Sequence, residues 1–197
     1  MNLQLKYEVR PDGTKSVTIP DESRAMVISF VQENARKPTD AIEAVVQEGH
    51  DQLMQALAGV SEAQAQHKPS ANDWSILELM DHVVTTKQIV GVLCRSLGDG
   101  HRPPGAGAEW EEQSAQDGVT VARFATIAEA RAAADTAHSD LLTLIRGLDT
   151  VDVETRFRHF LFGALNSREW AVFQRIHDAD HTPQIASIKG VAGFPSA

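Results

Sequence analysis

Trp170-Ala-Val-Phe-Gln-Arg-Ile-His-Asp-Ala-Asp-His181 decides how this chain folds. The residues at 170, 173, 177, 181, 184 and 188 recur at spacings of three and four, the pattern of a helix with one buried stripe. Spacing of four sets His177 and His181 one turn apart on that stripe, so both imidazoles can converge on one metal ion. Asn166 and Glu169 supply the start of this helix and Gly190 follows its last periodic residue, Ile188.

Working upstream, three more helices are predicted. Thr126 with Glu129 forms a capping box for an alanine-rich helix running to Leu144 and Ile145. Ser75 with Glu78 caps another, whose apolar residues are Ile76, Leu79, Met80, Val83, Ile89, Val90 and Leu93. The first long helix begins near Thr39 and buries Ile42, Val45, Val46, Leu53, Met54 and Leu57, stopping near Gly59. On the second helix, Leu79, His82, Thr86, Ile89 and Leu93 share a stripe, so His82 also faces inward. Four helices of about twenty residues predict an antiparallel bundle with a long crossover between the second and third.

Residues 97–118 are polar and rich in glycine and proline, and read as a long loop. Residues 150–165 read as irregular. At the front, Leu3, Leu5, Tyr7 and Val9 alternate, Pro11 to Thr14 turn, and Val17 and Ile19 resume, which is a hairpin pattern. Residues 26–31 fit a third strand or a short helix, and periodicity does not separate the two. The chain divides into an N-terminal extension at 1–38, the bundle at 39–190 and a tail at 191–197.

A net charge of −9 over 197 residues, with no lysine or arginine cluster, argues against nucleic acid and anionic membrane as partners. The first residues lack the apolar core of a signal peptide, and no run of about eighteen apolar residues occurs. The single cysteine, Cys94, excludes an internal disulfide and fits a reducing cytoplasm. A cytoplasmic location is the expectation.

Three inward imidazoles satisfy one another poorly by hydrogen bonds and well by binding a cation. Yet in a chain with eight histidines a pair at spacing four arises easily by composition, and packed, satisfied histidines explain the same pattern. Around the cluster, His50, His159, Asp180 and Trp110 are candidates for the pocket wall or for acceptors behind the ligands. Asp81, Asp178 and Asp180 fit either acceptors for ligand N–H groups or, more simply, solvated helix charges, and His67, His101 and His138 belong to no constellation. No glutamate lies between His177 and His181, so the zinc-protease arrangement is absent. Pro183 removes one backbone bond from the last helix and should kink it.

Two stretches carry a family resemblance. The sequence from Leu57 to His82, with Lys68-Pro69, Trp74-Ser75 and His82, and that from His159 to His181, with Trp170, His177 and His181, resemble the signatures of the DinB-like (DinB/YfiT) superfamily. The resemblance spans about residues 40–190. It implies an all-α, up-down-down-up four-helix bundle, here with a short hairpin-like extension. It also implies a divalent metal, often zinc or nickel, held by residues corresponding to His82, His177 and His181. Characterised relatives include transferases and isomerases that use low-molecular-weight thiols, and many are dimers. The expectation is therefore a homodimeric, metal-dependent S-transferase or hydrolase acting on a small molecule. The alternative is a non-catalytic binding or dimerisation module whose histidines merely pack.

Overall fold

The computed structural model describes residues 5–9, 15–71, 73–102 and 122–196. In chain order these form β1 (Lys6–Val9), β2 (Lys15–Thr18), α1 (Asp21–Ala35), α2 (Thr39–Ala56), α3 (Glu62–Gln66), α4 (Ile76–Gly98), α5 (Ile127–Ile145), β3 (Phe157–His159), β4 (Gly163–Leu165) and α6 (Ser167–Lys189). The fold is all-α apart from two antiparallel hairpins, β1–β2 with Lys6 opposite Thr18 and β3–β4 with Phe157 opposite Leu165.

The capping residues form where expected. Ser75 Oγ accepts from Glu78 N at 3.2 Å while the Glu78 carboxylate accepts from Ser75 N at 2.7 Å. Thr126 with Glu129 and Asn166 with Glu169 close the same box on α5 and α6. Each box satisfies two backbone N–H groups that have no partner within the helix.

Contacts along the helices fix their directions. Arg168, at the start of α6, donates to the Lys37 carbonyl just before α2, Arg175 reaches Gln52 at 3.1 Å, and Lys189 at the end of α6 donates to the Ala56 carbonyl. So α2 and α6 run parallel. Against α5, α2 is antiparallel: Arg131 meets Leu57, His138 meets Gln47 and Arg146 meets Glu43. Ile76 shares an apolar cluster with Ile127, and Leu97 another with Ile145, so α4 and α5 are parallel. The order is up-down-down-up.

Those two apolar clusters occupy opposite ends of the bundle. One holds Val46, Val90, Leu141, Phe173 and Ile176; the other holds Leu53, Met80, Val84, Ala137 and Ile185. Between them every long helix contributes polar residues: His50, Lys87, His138 and the α6 segment 177–184. A polar layer thus divides the core.

Several expectations are corrected. Of the two alternatives for residues 26–31 the helix holds, but as part of the fifteen-residue α1, whose Val27 and Val31 enter the core. Helix α4 continues past Leu93 to Gly98, with Leu97 fully buried rather than opening a loop. Ile89 is 39% exposed, because the buried stripe of α4 runs through Val83, Lys87, Val90, Cys94 and Leu97 and leaves His82 and Ile89 at its edge. Within residues 150–165 the β3–β4 hairpin forms, with Gly163 taking φ +80°. The last helix, by contrast, has the expected extent, since α6 continues through Pro183 to Lys189, one residue past Ile188.

Candidate metal centre

His82 enters from α4, and His177 and His181 from α6. Their ε nitrogens converge: His82 Nε2 lies 3.1 Å from His177 Nε2, which lies 3.2 Å from His181 Nε2. One donor atom from each of the three rings lies within 4.8 Å of the others. His181 is buried, while His82 and His177 keep a partly exposed edge. Burial, then the neighbouring His181, pulls His82 down to about 3. Burial pulls His181 down to about 4 and His177 well below its ordinary value. All three rings are therefore neutral at pH 7, the state a metal ligand requires.

The donor set fits a divalent ion. Zinc–imidazole bonds of about 2.0–2.1 Å around a tetrahedron put ligand nitrogens about 3.3 Å apart, close to the two separations found here. The ring of His181 is already oriented for it. His181 Nδ1–H donates to Gln184 Oε1 at 3.2 Å, and Gln184 Nε2 donates to Asp180 Oδ2 at 3.1 Å. That leaves Nε2 of His181 as a lone pair aimed at the cluster. Trp74 packs beside His82, with ring centroids 4.9 Å apart.

The sequence model of the DinB superfamily matches residues 46–185, well over half of the chain, and takes in all three histidines. The chain belongs to the DinB superfamily. No curated protein matches it, and no solved structure does. In this DinB-superfamily chain no helix among the described residues is long and apolar enough to cross a membrane.

The other candidate residues fall in different places. Asp180 acts behind His181 through Gln184, and burial raises its carboxyl to about 6. His159 packs among Phe160, Phe162, Trp170 and Phe173, and Phe173 stands between it and His177. His50 lies in the polar layer, stacked on His138 with centroids 3.9 Å apart, its Nε2 2.9 Å from Asp135. That makes His138 part of a constellation, contrary to expectation. Trp110 lies outside the described residues.

For two aspartates the solvated-charge alternative fails. Asp81 is buried and accepts from Arg123 Nε and Arg123 N. Asp178 is fully buried and accepts from Lys87 Nζ at 3.0 Å, with Lys87 Nζ also 3.4 Å from His50 Nδ1. Gln174 Nε2 donates to Asp178 Oδ1 at 2.8 Å and lies 3.4 Å from His177 Nδ1. A continuous polar chain thus joins the histidine cluster to His50. Sequence reasoning missed Lys87, although its spacing from Val83 and Val90 put it on the apolar stripe.

Proposed function

We propose that this chain is a metal-dependent enzyme acting on a small molecule, a thiol-dependent S-transferase or a hydrolase, with His82, His177 and His181 as ligands of one zinc or nickel ion. The convergence of three neutral ε nitrogens carries this reading. Such an ion, left positive by three neutral donors, supplies activation of a thiol or water as a nucleophile at neutral pH. The protein's own part is to hold the rings: Gln184 and Asp180 orient His181, and Trp74 covers the His82 side. We also propose that it acts as a cytoplasmic homodimer without nucleic acid or membrane; the acidic net charge of −9 supports the exclusion of polyanions.

Metal content after purification without chelator or affinity tag tests the reading. Near-stoichiometric metal is expected, and its loss in His177→Ala and His181→Ala. Equal trace metal in all three proteins would favour histidines that only pack. Loaded protein, offered an electrophile with a panel of thiols, then separates the two activities. Turnover without thiol identifies a hydrolase; strict thiol dependence identifies a transferase.

A further inference from the structure

Gln174 is fully buried, and its Oε1 has no hydrogen-bond partner while its Nε2 faces two. The orientation is dictated by Asp178. A carboxylate accepts only, so the amide must turn its nitrogen toward Asp178 Oδ1, 2.8 Å away. The same nitrogen then presents an N–H to His177 Nδ1, which must accept it. A neutral imidazole that accepts at Nδ1 carries its proton at Nε2. That single proton faces the lone pairs of His82 Nε2 and His181 Nε2, at 3.1 and 3.2 Å. Behind Asp178, Lys87 Nζ at 3.0 Å holds the carboxylate in place. This arrangement shares one proton between two acceptors in the metal-free cluster, and it is the wrong tautomer for ligation through Nε2 of His177.

We propose that Gln174, fixed by the Lys87–Asp178 pair, is the positioning residue that sets which nitrogen of His177 carries the proton, and that it thereby opposes a divalent cation at His177 Nε2. With the proton moved to His177 Nδ1 for a cation, Gln174 must either meet it N–H against N–H or turn Oε1 against the Asp178 carboxylate, so the pair weakens cation binding. The cation half of the proposal rests on the reading of the cluster as a metal centre; the tautomer half stands on the hydrogen bonds alone. Asp178→Asn reverses the constraint, since the introduced carboxamide can accept from Lys87 and offer its own N–H to Gln174 Oε1.

Long-range nitrogen–proton NMR of the imidazoles in the metal-free full chain reads the tautomer directly. His177 is expected protonated at Nε2 and His181 at Nδ1. In Asp178→Asn, with Lys87 retained to hold the oxygen of the introduced carboxamide, the His177 proton moves to Nδ1 and His181 is unchanged. Co2+ affinity, measured by chelator competition, then rises roughly tenfold, the low end of what a partner behind a ligand commands. His177 protonated at Nδ1 in the wild type, or a folded variant with no tautomer change, would overturn the proposal. If the variant does not fold, the wild-type spectrum decides. Co2+ taken up by none of these proteins, with the tautomer shift intact, would overturn the cation half and uphold the positioning role.

Discussion

Lys87 Nζ donates to Asp178 Oδ2 at 3.0 Å, and neither side chain is exposed, so the bundle carries an ion pair through the middle of its core. Removing one partner strands the other charge in a dry interior. Lys87→Ala or Asp178→Ala is expected to cost about 3–5 kcal/mol in urea unfolding. The double variant Lys87→Met/Asp178→Leu should recover most of that loss. Equal destabilisation in the double variant would mean that the pair is not the source.

Acid should destabilise the metal-free protein early. Burial lowers His82, His138 and His159 to about 3, His181 to about 4, and His177 well below its ordinary value. The unfolded chain binds these protons near pH 6.5 and the folded chain does not, so stability is full above about pH 6.5 and falls as pH drops toward 4. Asp180, raised to about 6, works the other way, since the folded state binds its proton first, but it is one group against several. Unfolding free energy measured from pH 8 to 4 should fall with a slope of several protons; a flat profile would contradict the buried, neutral cluster.

How much of this was legible depends on which residues advertise their role. Ser75, Thr126 and Asn166, each with an acidic residue three positions on, marked helix starts correctly, because a capping box is a local hydrogen-bond pattern written in adjacent sequence. His177 and His181 were legible from spacing, and His82 from its place on α4, although it stands at the edge of the stripe. Heptad extrapolation carried the error at Ile89: at about 100° per residue the buried face passes through Val83, Lys87 and Val90 instead. The length of α1, and its choice over a strand at residues 26–31, were not legible, since it starts behind Pro20 with no side-chain cap and buries Ser23 and Asn34 beside Val27 and Val31, blurring the apolar period. Lys87 and Asp178 were illegible as a pair because they lie 91 positions apart, and each alone reads as a solvated charge.

Gly49 lets α2 and α6 approach. A Cβ there would sit 2.8 Å from Arg175 Cδ and 3.3 Å from Arg175 Cα. Gly49→Ala gains helix propensity of about 0.5–1 kcal/mol and loses about 1–3 to overpacking, for a net loss of about 1 kcal/mol. Thermal or urea unfolding reads the sign, and a stabilised variant would show that the helices separate freely.

Arg168 ties three elements together. It donates to the carbonyls of Ala35, Lys37 and Leu148 with its side chain 12% exposed. Arg168→Ala leaves those carbonyls short of a charged donor and should cost about 3 kcal/mol. Arg168→Lys, which cannot reach all three, should recover less than half of it in the same unfolding assay.

The convergence of His82, His177 and His181 on one cation is tested most directly by an anomalous-difference map from crystals of protein purified without chelator, collected at the metal's absorption edge. One peak is predicted, about 2.0–2.1 Å from each of the three Nε2 atoms, with the Gln184 bond to His181 intact. Clear density for the three rings with no anomalous peak between them, or a peak held by other residues, would contradict the account.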